Sequence, residues 1–175
     1  MIVLVSACAG LKAAESVSTT PEYRVKAVFL FNFTQFVEWP ARAFSEPDSP
    51  IIIGILGEDP FGDFIDQVVQ GERVNSRPVR VRRISGTEGI AACNILFVSK
   101  SESGNIRKTL AEVRGRPILT VSDASEFTRD GGIIRFFDDD HRVRLVINNE
   151  AAISDGLKIS SKLLRPSRIT TASED

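Results

Sequence analysis

Apolar residues recur at three- and four-residue steps through Val25, Val28, Phe29, Phe33 and Phe36, which predicts a helix from Glu22 to about Glu38 carrying them on one face. Thr20-Pro21 suits its start, with a capping hydroxyl, proline at the first helical position and an acid following. Leu30, Phe31 and Val37 widen the stripe beyond a simple amphipathic helix. Either the helix is nearly enclosed by its own domain, or part of its surface is covered by another molecule. Trp39-Pro40 ends it.

The middle of the chain alternates between strand and helix patterns. Ile51–Gly57 is an almost continuous apolar run rich in β-branched residues, as expected of a strand buried on both faces. Asp59-Pro60-Phe61-Gly62 turns into a helix from about Asp63 to Gln70. From Val79 to Ile84, valines alternate with Arg80 and Arg82 and predict a strand with one wet face. Ile95–Val98 and Ile118–Ser122 read as further strands, separated by a helix over Glu102–Arg114. Later, Gly132–Phe137 and Arg142–Ile147 flank the polar run Asp138–His141, the pattern of an antiparallel hairpin. Asn148 can cap a short helix through Ile153, and Leu157–Leu164 reads as a terminal strand or helix.

This order predicts an α/β fold: a mostly parallel sheet with helices on both faces, three-layered and Rossmann-like, with the antiparallel hairpin at one edge. The chain of 175 residues suits one domain, taken as residues 21–168, after a leader and linker over 1–20 and before a polar tail over 169–175.

Charge removes one class of partner. Twenty-two basic residues face twenty-three acidic ones, a net charge of −1, whereas general nucleic-acid affinity needs a basic excess. No stretch approaches the ~20 apolar residues of a membrane-spanning helix. The beginning does look like the tail of an export signal. Met1–Val5 is apolar, and Ala7-Cys8-Ala9 fits a small-x-small cleavage site. Val5-Ser6-Ala7-Cys8 also resembles a lipobox, so simple cleavage and lipidation of Cys8 both stay open. Either places the protein in the periplasm, touching membrane only through a partner or a lipid on Cys8.

The search for chemistry finds no catalytic, cofactor or metal site. Cys93 opens an apparent buried strand, where a lone cysteine serves as a small hydrophobe, and the single histidine, His141, lies elsewhere. Asp138-Asp139-Asp140-His141 contains metal-binding residue types, but adjacent residues cannot all point at one ion, and hairpin tips favour solvated acids. Ser99, Ser101 and Ser103 lack a partner base and read as a loop with a helix cap. Gly57, Asp59 and Gly62 belong to a strand-to-helix loop of the kind that holds small ligands in α/β folds. The glycine spacing misses the dinucleotide fingerprint, and Glu58 and Asp59 would repel a phosphate, so a structural turn is the commoner role. Arg77, Arg80, Arg82 and Arg83 are candidates for holding an anion, against the commoner role of a solvated strand face.

Several segments, taken in order, resemble one family: Lys26–Phe33 with Phe36–Pro40, Ile53–Gly62, Cys93–Ser99, Leu119–Asp123, Gly131–Ile134, Val143–Asn148 and Leu157–Leu164. Together they are similar to the YfiR/HmsC-like family of periplasmic proteins, over about Tyr23 to Arg165. The resemblance implies a non-enzymatic regulator that restrains a membrane-bound diguanylate cyclase by binding its periplasmic sensor domain. Cyclic-di-GMP output and biofilm formation are thereby lowered. It also implies a capacity for self-association, as a homodimer. Relatives under redox control carry additional cysteines, whereas Cys93 has no evident intramolecular partner here, so an internal disulfide switch is not expected.

Two functions follow. In the first, the protein is a binding module for a membrane diguanylate cyclase or sensor kinase, with contacts from Phe29, Phe33 and Phe36 of the first helix and from Leu157, Lys158, Ile159 and Lys162. In the second, it is a periplasmic small-molecule receptor using the Gly57–Gly62 loop. Ligand-induced stabilisation of the folded state separates the two.

Overall fold

The computed structural model describes residues 19–170. Its first element is the expected helix, α1, over Pro21–Phe36. A two-residue strand β1 (Val37–Glu38) follows, then β2 (Ile51–Leu56), α2 (Asp63–Val69), β3 (Arg73–Val74) and β4 (Arg77–Ile84). Next come β5 (Ile95–Val98), α3 (Ile106–Val113), β6 (Leu119–Ser122), β7 (Ile134–Asp139) and β8 (Arg142–Asn148). The chain closes with α4 (Asn149–Ser154), β9 (Lys158–Ile159), α5 (Ser161–Leu164) and β10 (Arg168–Thr170).

Eight strands form one sheet in the order β10-β8-β7-β6-β5-β2-β4-β3, and β1 pairs with β9 in a separate antiparallel ribbon. Strands β4, β2, β5, β6 and β7 run parallel to one another, while β3 and β8 flank them antiparallel, so crossover connections must pass over the faces. All six residues of β2 are buried, as an apolar run at the centre of a parallel sheet requires. Ile51, Ile53 and Ile55 point to the side of α1 and α2, together with Leu30, Phe33, Phe61 and Ile65. Ile52 and Leu56 point to the side of α3, together with Cys93, Ile106, Leu110 and Phe127. Two cores on opposite sides of one sheet make the three layers.

Local chemistry explains the turns. Asp140 and His141 both adopt positive φ, 52° and 60°, the tight turn that joins β7 to β8 with the strands' own twist. Asp138 accepts a hydrogen bond from the His141 N–H at 3.2 Å, which fixes that turn. The Asn148 side chain accepts from the Ala151 N–H and caps α4.

Two features differ from the sequence expectation. The β7–β8 hairpin is not the edge, because β10 adds parallel to β8 and covers it. That strand runs from Arg168 to Thr170. The helix expected from Glu102 starts as a 3-10 turn over Lys100–Asn105 and becomes α-helical only at Ile106. The segment Leu157–Leu164 is both strand and helix, split at Ser160, whose hydroxyl caps α5.

Candidate functional site

Helix α1 carries more apolar surface than one core can use, and the structure shows how it is divided. Ala27, Leu30 and Phe33 are fully buried against the sheet, with Lys26 and Thr34 on the same inner face. Phe33 stacks on Phe136 of β7, ring centroids 6.0 Å apart, and Phe29 lies tilted against both rings at 6.1 and 5.9 Å. Val25 and Val28 instead face out, 45% and 42% exposed. The expected face of Val25, Val28, Phe29, Phe33 and Phe36 is therefore rotated: its two valines lie on the open side of the helix.

The cause of the rotation is electrostatic. Lys26 Nζ lies 2.6 Å from Asp123 Oδ2, just past the end of β6, and both side chains are 2% exposed. Glu22, one turn earlier, contacts the same ammonium at 2.5 Å, and Tyr23 donates its hydroxyl to Asp123 at 2.8 Å. Lys100 approaches the carboxylate at 3.7 Å. Burial, reinforced by the hydrogen bond to Asp123 and its charge, pushes the Tyr23 phenol well above its ordinary value, so it stays a donor. The ammonium also sits over the Tyr23 ring at 4.3 Å, and that ring meets Phe61 edge-on. With Lys26 pinned inward, Val25 and Val28 must point outward.

The outward strip is bordered by two grooves. One, about 310 Å³, runs beside Arg24, Val28, Asn32 and Phe64 of α2, with Arg24 stacked over the Phe64 ring. The other, about 630 Å³, lies between α1 and the β7–β8 hairpin, bounded by Glu22, Val25, Phe29, Asp138, His141 and Val143. Phe29 is half-buried and forms the ridge between them.

The other expected contact residues fall into two classes. Phe33, Leu157 and Ile159 are buried in the α1-side core and offer no surface. Phe36 is half-buried at the C-terminal end of α1, where its carbonyl accepts from the Ser160 N–H. Lys158 and Lys162 are exposed at that same end, Lys158 paired with Glu38 across the β1–β9 ribbon at 3.1 Å. The two expected segments thus meet, but about three helical turns from Val25. Cys8 lies outside the described residues.

The Gly57–Gly62 loop is closed on itself. Gly57, at φ 89°, is so near Ser101 that an added Cβ would sit 2.5 Å from its hydroxyl. Asp59 accepts from the Phe61 N–H at 2.7 Å and from Arg83 at 2.9 Å, and the Gly62 carbonyl accepts from Arg83 at 2.9 Å. The same guanidinium grips Asp66 through two hydrogen bonds. Of the clustered arginines, Arg83 is therefore bound, and Arg77 lies 3.7 Å over the Phe44 ring while donating to the Ser49 carbonyl. Arg80 and Arg82 are exposed. Ser99 accepts from the Ser101 N–H as a helix cap, and Ser101 accepts from the Glu58 N–H, tying the loop after β2 to this turn. Asp138 is taken by its turn, and Asp139 faces Arg144 at 3.7 Å. Cys93 is buried, and burial pushes its thiol up to about 11 despite the opposing charge of Arg82.

Sequence reading missed Lys26, Tyr23 and Asp123. The available signal was a lysine within an apolar helical face, which demands a buried counter-ion. Nothing in local spacing says that Asp123 provides it.

Against known protein families, residues 23–168 match the one described as YfiR/HmsC-like. No curated protein matches the chain.

Proposed function

The chain belongs to the YfiR/HmsC-like family, and from that premise we propose that it is a periplasmic regulator that binds and restrains a membrane-bound signalling protein. Members of this family are regulators rather than enzymes. The partner in this reading is a diguanylate cyclase, held inactive through its periplasmic domain so that cyclic-di-GMP output and biofilm formation fall. Export through the segment ending at Ala7-Cys8-Ala9 belongs to the same reading. So does a single domain over residues 21–168. Among the described residues no helix is long and apolar enough to cross a membrane.

One observation carries the proposal. Val25 and Val28 are exposed on a helix whose opposite face is already packed, and Phe29 stands beside them between two grooves. A contiguous apolar strip of this kind serves recognition more readily than folding. The contact surface is accordingly the outer face of α1, with Phe29 as its anchor, while Phe33 holds the helix in place. Phe36, Lys158 and Lys162 form a second, more polar margin at the far end of the helix.

The test is capture of the partner by the tagged mature protein from solubilised membranes, with mass spectrometry of what is retained. Recovery of a membrane protein bearing a cyclic-di-GMP-synthesising domain supports the reading. Val25→Asp/Val28→Asp should abolish its capture without shifting the unfolding transition. Capture that survives this double change removes α1 as the contact. Failure of the folded protein to retain any membrane signalling protein removes the regulator reading itself.

A further inference from the structure

A second surface, at the opposite side of the molecule from β10, has its own chemistry. Among the described residues, strand β4 is covered along its outer edge only at its beginning. Strand β3 pairs with it through Arg73–Pro78 and Val74–Arg77, and the Val79 N–H donates to the Glu72 carbonyl at 3.1 Å. That bond shows which way the backbone alternates: Val79 points its peptide groups outward, away from β2. Val81 and Arg83 follow two and four residues on and point theirs the same way, beyond the reach of β3. Among the described residues, the N–H and C=O groups of Val81 and Arg83 form an open sheet edge, the usual template for an added strand.

Side chains along this edge alternate too. Val79 and Val81 belong to the α1-side core, and Arg83 on that same side is committed to Asp59 and Asp66. Arg80 and Arg82 project from the other face with Ile84 and Cys93; the charge of Arg82 acts on the Cys93 thiol. Both arginines are exposed, and neither has a carboxylate within ion-pair distance among the described residues.

The geometry points to this edge as a docking strand for an extended acidic segment of another protein, one alternating acids with apolar residues. Its backbone would pair with Val81 and Arg83, its acids would lie beside Arg80 and Arg82, and its apolar residues would lie on the Val81 side. The charge pattern selects the occupant. A second copy pairing antiparallel about Val81 would set Arg80 of one chain opposite Arg82 of the other, and like charges in register oppose pairing. An acidic strand turns the same two residues into attraction. This surface is independent of the α1 strip, so either can fail alone.

The experiment is fluorescence anisotropy of a short labelled peptide of alternating glutamate and valine, titrated with the folded protein. Saturable binding is expected for this peptide and none for its lysine-valine counterpart. Arg80→Glu/Arg82→Glu should weaken binding by about tenfold or more, from loss of two charge pairs and their replacement by repulsion. Methylation of the peptide's paired amide nitrogens should weaken it by a similar factor, and this arm leaves the protein unaltered. Val81→Pro, which removes an outward N–H and no bond to β2, should reproduce that loss. No saturable binding, or equal binding of the lysine-valine peptide, overturns the proposal. Unchanged affinity after methylation reduces the contact to loose ion pairing and overturns it as well. Self-association of the protein that Val81→Pro abolishes would assign the edge to a second copy instead, and likewise overturns it.

Discussion

Lys26 and Asp123, separated by 97 residues in the chain, meet in a 2.6 Å ion pair that is almost wholly withdrawn from solvent. The contact joins the first turns of α1 to the end of β6 and sets the rotation of the helix. Its geometry decides which apolar residues become core and which remain on the surface. Charge pairing inside the protein is thereby coupled to the composition of the face outside. Tyr23, Glu22 and Lys100 complete the shell, but Asp123 Oδ1 is buried without a hydrogen-bond partner among the described residues. The carboxylate therefore depends heavily on the bonds made by its other oxygen.

The two halves of this pair should not be equally sensitive. In Lys26→Met the Asp123 carboxylate keeps only the Tyr23 hydroxyl and the more distant Lys100, so an under-compensated charge stays buried. The expected cost is about 3–5 kcal/mol. In Asp123→Asn the ammonium retains Glu22, which is 46% exposed and readily solvated, so the loss should be nearer ~1–3 kcal/mol. Urea unfolding of the two variants measures the difference. Equal and negligible losses would show that the pair does not hold α1.

Substitution along α1 should divide its aromatic and aliphatic residues by face. Phe33→Ala opens a void under Phe136 and should cost about 3–5 kcal/mol. Val25→Ala and Val28→Ala, on the exposed side, should each stay within about 0.5 kcal/mol of the parent. Thermal and urea unfolding across the series checks the division. A Val28 variant as costly as Phe33→Ala would place that valine in the core.

Much of this fold is legible in the residues, and the exceptions share a cause. Ile51–Leu56 reads as a strand buried on both faces because an uninterrupted β-branched run fits no wet surface, and all six residues are indeed buried. The β7–β8 hairpin is equally readable, since two strand-like runs bracket a polar turn. Strands β1, β3 and β9 are only two residues each, too short to show any period. β10 has a single apolar residue, Ile169, and it pairs with β8 because the sheet offers an open edge. The rotation of α1 was illegible for another reason. Val25, Val28 and Phe33 are similar in hydropathy, and the choice among them is made by Asp123, nearly a hundred residues away. Periodicity locates a helix, but a distant ion pair can turn it.

Gly54 and Cys93 should show strong energetic coupling. A Cβ at Gly54 would lie 2.5 Å from Cys93 Sγ and 2.9 Å from Ile84 Cδ1, so Gly54→Ala overpacks the α3-side core. The expected cost is about 1–3 kcal/mol. In the Cys93→Ala background the sulfur is gone and only the Ile84 contact remains close, so the cost of the same change should fall. A double-mutant cycle by urea unfolding gives the coupling directly. Additive effects would mean that the backbone yields before the side chains meet.

Cys93 also gives the protein a distinct alkaline behaviour. Burial raises its thiol from an ordinary 9.0 to about 11 in the folded state, with Arg82 opposing weakly. The folded protein thus holds this proton more tightly than the unfolded chain does. Its contribution to stability is full below the unfolded value and disappears as pH rises through the folded one. Stability should therefore decline between about pH 9 and 11, by roughly 2–3 kcal/mol for a shift of this size. Cys93→Ala should lack this decline while retaining any slope due to other groups. Below pH 9 the native thiol should resist alkylating reagents until the protein is unfolded, because the reactive thiolate is both scarce and covered. Urea unfolding of parent and variant across this range, beside native-state alkylation rates, makes the test. Parallel stability curves for the two proteins would show that the thiol is solvated in the folded state, contrary to its place between Gly54 and the α3-side core.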